Sequence, residues 1–391
     1  MTIPPVPTLF VECTQTYRDN RNTGIQRVVR NLMRHLPAAG GALGLPMVPL
    51  VFEHDRARFV AAEPLLAGRS TPAASRSRLV RAVSRRLSAV RRSDLDRFEA
   101  ARGSILLLLD ASWDLPLWPA IDRFKARGGR VASVIYDLIP LTHPASTVDG
   151  LPARFRHWLE TQTTRSEAFL CISQATADEL RRFMASIGQA PPIAAFPLGS
   201  DLDLATPEAS LRLPEIFAGT APVFLVVGSI EPRKRHGFVL DAFELHWRGG
   251  GSGVLAILGR QAWRSDALLE RIARHPERGR RLHLIRDADD ALLDQAYRRA
   301  AALIMASEAE GFGLPIVEAF QRGLAVICSD IPVFREVAAT GARYFAPDDP
   351  AALAALLEAP PAPLPAGHWL GWAESAAAMM ATLHRILPPR D

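Results

Sequence analysis

Two glutamates, Glu310 and Glu318, stand with seven residues, Gly311-Phe312-Gly313-Leu314-Pro315-Ile316-Val317, between them. The apolar run Ala301 to Ala306 before them reads as a strand, and Ser307 to Phe320 as a glycine turn leading into a helix. Gly311 and Gly313 can take φ > 0 and leave backbone N–H groups unobstructed. Pro315 suits the first helical position, where a missing N–H costs nothing, and Gly323 sits where the helix should stop. A helix N-terminus behind such a turn is an anion site, with open N–H groups and the positive end of the helix dipole. Glu318, in the first turn, inclines back toward that end. Carboxylates do not suit a bare phosphate, but they suit the hydroxyls of a sugar or ribose attached to one. An ordinary strand–helix turn with one dipole-stabilising Glu explains one acid, but not the pair with its glycines and proline.

Glu310 and Glu318 with Gly-Phe-Gly-Leu-Pro between them resemble the signature of retaining glycosyltransferases of family 4, which have the GT-B fold. The resemblance implies an α/β architecture of two Rossmann-like domains whose parallel sheets face across a cleft. It implies residues 1–200 as an acceptor-side domain and 201–366 as a nucleotide-sugar-binding domain. Residues 367–391 would be a terminal helix crossing back to the first. Glu310 would hold donor-sugar hydroxyls near the reacting carbon, Glu318 the ribose, and Gly311, Phe312, Gly313 and Leu314 the donor diphosphate.

A second element fits the same ligand. The apolar strand Val223 to Val227 runs into Gly228-Ser229-Ile230-Glu231-Pro232-Arg233-Lys234-Arg235-His236. It resembles the family's strand and basic loop, in which a cation meets the donor diphosphate. Lys234 is the best match, and Arg233 follows because a guanidinium grips phosphate oxygens in a bidentate way. Ser229 stands where some relatives carry arginine. A solvated basic loop is the alternative; placement directly after a buried strand and Gly228 argues against it.

In the first half, Val6 to Cys13 reads as a strand, Thr14–Thr23 as a loop, and Ile25, Val28, Val29, Leu32 and Leu36 as the apolar stripe of a helix opened by Gly24. By resemblance, Gly24 faces the donor phosphates. Arg27 is either a cation on the acceptor side or a solvated side chain. The runs Ser104–Leu109 and Val131–Ile135 are continuous apolar strands, as expected of a parallel sheet covered on both faces. Ligands bind beyond the carboxyl ends of such strands, which here carry Asp110, Trp113, Tyr136 and Asp137. Relatives commonly carry a histidine where Tyr136 stands, so the proton-handling group is open. Asp110 or Asp137 assists the acceptor hydroxyl, orients it, or caps a helix; Trp113, Tyr136 and Arg27 are the acceptor-side candidates.

Composition sets further bounds. A length of 391 residues suits two domains, and no run approaches the ~20 apolar residues of a membrane span. Met1-Thr2-Ile3-Pro4-Pro5 lacks the features of a signal peptide. The 3 cysteines, Cys13, Cys171 and Cys328, form neither metal spacing nor a disulfide framework. The cytoplasm is the expected compartment. Arg69 to Arg92 holds eight arginines and no acid, with Leu79, Val83, Leu87 and Val90 at helical spacing. Such a basic amphipathic helix lies on an anionic membrane surface, here the inner face of the plasma membrane, or it is a solvated helix on the first domain. No interleaved aromatics point to nucleic acid. Gly249 to Gly253 lacks a following Lys-Ser/Thr and reads as a flexible loop, not a phosphate loop. No Asp-x-Asp stretch reads as a metal motif; Asp289-Asp290 and Asp348-Asp349 read as caps and turns, so no metal and no other cofactor is expected.

The expected activity is therefore retaining transfer of a hexose from a nucleotide diphosphate sugar, as co-substrate, to a glycan or lipid-linked glycan. Thr23 to Arg30 together with Tyr136-Asp137-Leu138-Ile139-Pro140 resembles bacterial surface-polysaccharide enzymes of mannosyl and rhamnosyl type, which favours a GDP-sugar such as GDP-mannose. The rival expectations are a nucleotide-sugar-binding subunit without transfer, a GT-B sugar-nucleotide epimerase, and a lipid-surface adaptor using Arg69–Arg92 alone.

Overall fold

The computed structural model describes residues 6–18, 24–61, 102–202, 215–217, 219–362 and 369–389. The arginine-rich stretch 69–92 lies outside the described residues. The chain divides into two compact units. The first comprises Met1–Tyr136, Ala153–Gly199 and Gly371–Asp391; the second comprises Asp137–Pro152 and Ser200–Leu370. The segment 137–152 thus groups with the second unit, although it lies within the sequence range expected of the first.

The first unit is built on strands β1 (Leu9–Glu12), β2 (Met47–Glu53), β3 (Arg58–Ala61), β4 (Ile105–Leu108), β5 (Arg130–Ile135), β6 (Ala168–Cys171) and β7 (Ile193–Ala195). They form one sheet in the order β3-β2-β1-β4-β5-β6-β7, parallel except for β3. β1, β4, β5 and β6 are buried along their whole length, which is why they read as unbroken apolar runs. The helix Gly24–Gly41 buries Val28, Val29, Leu32, Met33 and Leu36, the stripe its periodicity predicts. The last helix, Trp372–Ile386, belongs to this unit and packs against the helix Gly24–Gly41. Its Trp372, Met379, Met380 and Leu383 are buried. Part of the segment after β1 is not the plain loop expected: Thr14–Arg18 forms a short helical turn.

The second unit holds β8 (Val223–Val227), β9 (Val254–Leu258), β10 (Leu282–Ile285), β11 (Ala302–Met305), β12 (Val326–Ser329) and β13 (Ala342–Phe345), in the order β10-β9-β8-β11-β12-β13. Every pairing is parallel. β8 and β11 are neighbours at the centre, so the turns that follow them leave the sheet side by side. The glycine run 249–253 packs closely around an imidazole: a side chain on Gly251 would sit 2.2 Å from the His246 ring. Asp289 and Asp349 cap helices, accepting from Leu292 N at 2.8 Å and Ala351 N at 2.9 Å. All three cysteines are buried and free.

Candidate active site

Both donor-side motifs of the sequence fall at the carboxyl ends of the central strands of the second unit. After β8, Gly228 turns at φ 134°, and the stem of Lys234 lies over it. A Cβ at Gly228 would stand 3.0 Å from Lys234 Cε, so only glycine leaves room for that lysine. Pro232–Lys234 is a single helical turn, and Arg235 at φ 52° redirects the chain into the helix His236–Arg248. After β11, Gly313 at φ 104° starts the helix Leu314–Gln321, and Gly323 at φ 69° follows its end. Of the two glycines that could take φ > 0, Gly313 does and Gly311 does not. Phe312 is buried against Trp369, with ring centroids 6.4 Å apart.

These two turns meet through charge. Arg233 Nη1 lies 2.7 Å from Glu310 Oε2, and Lys234 Nζ lies 2.7 Å from Glu310 Oε1. Arg233 also donates to Glu231 Oε1 at 2.5 Å and to the Ala309 carbonyl at 2.6 Å. Ser307 Oγ donates to Glu310 Oε1 at 2.9 Å. The side chains of Arg233, Lys234 and Glu310 keep only 13%, 13% and 11% of their exposure, so little solvent screens them. Burial pushes the Glu310 carboxyl up, but Arg233 and Lys234 outweigh it and hold the group at about 2. Burial would lower Arg233, yet Glu310, Glu231 and Asp137 raise it. Asp137 is drawn into the same cluster. Burial pushes its carboxyl up, Arg233 opposes this, and Glu310 and Glu231 add to it. Its Oδ1 accepts from Ile139 N at 3.0 Å. The arrangement offers two fixed cations for a diphosphate and carboxylates for sugar hydroxyls.

The other donor-side candidate, Glu318, is buried within the helix Leu314–Gln321 and accepts from the Tyr297 hydroxyl at 2.8 Å. Glu231 went unnoticed in the sequence, although an acid directly before Pro232 and two cations was visible. His236 begins the following helix fully buried; burial and then Lys234 lower its imidazole to about 3, so it is neutral.

The acceptor-side candidates lie in the first unit. Asp110 follows β4, with Oδ1 accepting from Ala111 N at 2.8 Å and Oδ2 from Thr16 N at 2.6 Å. Tyr136 follows β5, buried, and its hydroxyl donates to the Leu109 carbonyl at 2.6 Å. Trp113 is half-buried, edge-on to Phe155 and Trp158 at 5.8 and 6.2 Å. Gly24, the donor-side candidate of this unit, is exposed at the start of its helix; the acceptor-side Arg27, half-buried, is one turn on. The structure therefore gathers Arg233, Lys234, Glu310 and Asp137 with Glu231, and separately sets Asp110 and Tyr136 at neighbouring strand ends. Glu12, at the end of β1, was missed by sequence reasoning; a lone acid closing an apolar strand was its only signal. Among the described residues, no group of three or more His, Cys, Asp or Glu side chains gathers to hold a metal. Nor is any described helix long and apolar enough to cross a membrane.

Residues 211–359 match the family described as Glycosyl transferases group 1. The serotype-specific mannosyltransferase WbdA of Escherichia coli is 35% identical over 286 residues, covering 68% of this chain and 35% of that protein. The O-antigen chain mannosyltransferase B of Escherichia coli is 32% identical over 134 residues, covering 34% of each chain. The chain thus spans about a third of the length of these curated relatives. Among solved structures, Anabaena HepE in complex with UDP and glucose has a TM-score of 0.60 at 14% identity, covering 97% of this chain and 95% of that one. Sucrose-phosphate synthase from Thermosynechococcus elongatus has a TM-score of 0.58 at 18% identity, covering 97% and 94%. At such identities the likeness speaks to the fold, two parallel-sheet α/β domains of the GT-B type.

Proposed function

We propose that this chain, a member of the group 1 glycosyl transferases through residues 211–359, transfers a mannosyl-type hexose from a nucleotide diphosphate sugar to a glycan acceptor, with retention at the reacting carbon. A GDP-sugar is the favoured donor, and the process served is surface-polysaccharide assembly, as for the mannosyltransferases it resembles. The observation that carries the reading is the cluster Arg233–Lys234–Glu310 at the carboxyl ends of β8 and β11. When the bond from the anomeric carbon to the diphosphate breaks, its electron pair leaves with the diphosphate. Arg233, Lys234 and the amides of Gly311 to Leu314 would neutralise that charge, the main electrostatic contribution available from this chain. Glu310, ionised, would orient sugar hydroxyls, and Glu318 a ribose hydroxyl. Asp137 suits the acceptor proton better than Asp110. It shares the Arg233–Glu310 cluster, whereas both Asp110 oxygens already accept from backbone amides.

The test is thermal stabilisation by GDP, UDP, ADP and dTDP, with and without EDTA, followed by transfer assays with mannose-terminated glycans. A ligand at 100 times its Kd adds about 2.7 kcal/mol. A shift with GDP that ignores EDTA, followed by transfer, supports a metal-independent GDP-sugar enzyme. Nucleotide binding without transfer to any glycan overturns the transferase reading in favour of a donor-binding subunit. Donor turnover without acceptor points to an epimerase. Flotation with anionic vesicles tests the membrane role of residues 69–92.

A further inference from the structure

In the first unit β1 and β4 run parallel with Glu12 opposite Leu108. The carboxylates of Glu12 and Asp110 therefore emerge at the same edge of the sheet, the edge where ligands bind in such folds. Both are buried, Glu12 at 0% and Asp110 at 3% exposure. Both hold the segment after β1. Glu12 Oε1 accepts from Thr14 N at 2.7 Å, and Asp110 Oδ2 from Thr16 N at 2.6 Å. That segment is also sewn to β2: Phe52 N donates to Thr14 Oγ1 at 2.9 Å, and Arg18 Nη2 to the Phe52 carbonyl at 2.5 Å. The turn 13–18 thus sits on three strand ends, with the two acids as its inner fastening.

Among the described residues, Arg30, from the helix Gly24–Gly41, is a charged group that acts on Asp110. From β5 the neighbour is the Tyr136 hydroxyl, and beside Glu12 the Cys13 thiol. Both are held neutral, chiefly by burial and then by the two acids themselves. Glu12 Oε2 is buried without a hydrogen-bond partner among the described residues. Two neighbouring buried carboxylates cannot both ionise cheaply, and an orphaned carboxylate oxygen is costly while an orphaned carboxyl is less so. Asp110 carries an amide N–H on each oxygen, which favours its charged form. We propose that Glu12 and Asp110 hold one proton between them, on the Glu12 side, and act as a positioning pair that fixes the turn 13–18 for acceptor binding.

Consistent with this geometry, burial and then Asp110 push Glu12 up to about 7, against the pull of its Thr14 hydrogen bonds. Burial likewise raises Asp110 against its amide donors. The pair titrates as a unit. The folded state then holds a proton that the unfolded chain releases near the ordinary carboxylate value. The stabilisation is complete below that value and is lost as pH rises through about 7.

The proposal rests on the transferase reading only where acceptor binding is measured; its stability arm stands without it. The experiment compares the parent with E12Q and D110N in melting temperature, nucleotide binding and acceptor KM, from below the ordinary carboxylate value of 4.5 to beyond about 7. Glutamine keeps the acceptor for Thr14 N and mimics the protonated acid. The expected result is that parent and E12Q agree at the acid end. The parent should then lose several degrees relative to E12Q between pH 4.5 and about 7, and its acceptor KM should rise through neutrality while nucleotide binding stays level. D110N should be destabilised at every pH, since an amide nitrogen cannot accept from Thr16 N or Ala111 N. Parallel melting profiles for the parent and E12Q would overturn the shared proton. Diverging melting profiles with parallel KM profiles would overturn the positioning role. Should E12Q not fold, the infrared spectrum of the parent decides: a protonated-carboxyl band present at pH 6 and lost by pH 8 upholds the pair, and its absence at pH 6 overturns it.

Discussion

Glu310 neutralises the cations on which the proposed donor would depend. With Arg233 and Lys234 both paired to it at 2.7 Å, an incoming diphosphate must share or replace that carboxylate. Glu310→Gln should therefore leave nucleoside diphosphate binding equal or tighter while transfer falls at least ~100-fold. Calorimetric titration and initial rates check this, and weaker binding by the variant would contradict the proposed pairing. Lys234→Ala should weaken nucleotide binding about 10- to 100-fold, the worth of one hydrogen bond to a charged group, roughly 1.5–3 kcal/mol. The pH dependence has a definite sign. Glu310 is depressed to about 2 from the ordinary 4.5, so its ion pairs contribute fully above 4.5 and are lost as pH falls toward 2. In acid titrations followed by circular dichroism, Glu310→Gln should flatten the decline of stability between those values.

At the scale of elements, the two glycine turns do different work from the helices behind them. Gly228→Ala puts a β-carbon at φ 134° and 3.0 Å from the Lys234 stem. The expected outcome is a loss of nucleotide affinity comparable to Lys234→Ala, accompanied by a modest fall in melting temperature. If affinity is unchanged, the stem of Lys234 does not depend on that gap. The strand–turn–helix at Ala301–Gly323 and the basic turn after Val227 were legible in the sequence because they are set by local chemistry. Strand runs, glycine conformations, a proline at a helix start and aspartate caps all act within a few residues. Two local readings did not hold: Thr14–Arg18 is a helical turn rather than loop, and Glu318 falls beyond the first turn of the helix Leu314–Gln321. At the glycine turn both glycines permit φ > 0, and Gly313 uses it.

Over the whole molecule, the chain returns to its first unit for the last helix, whose Trp372, Met379, Met380 and Leu383 are buried. Leu383→Ala should cost about 2–5 kcal/mol, read by denaturant unfolding, without changing nucleotide affinity in the second unit. The sequence alone determined the class of fold, the strands β1, β4, β5, β8 and β11, and the residue types at their ends, since burial on both faces writes itself as continuous apolar runs. Which charged groups face one another was decided by tertiary structure. Lys234 and Glu310, 76 residues apart, meet because β8 and β11 are neighbours in the sheet. Thr16 and Asp110, 94 residues apart, meet because β1 lies beside β4. Asp137 joins the Arg233 cluster because the segment 137–152 groups with the second unit. Glu12 could not be read as half of a pair until the strand order placed Asp110 beside it. Pattern and propensity act along the chain, but a carboxylate's charge state depends on whatever the fold brings within a few ångströms of it.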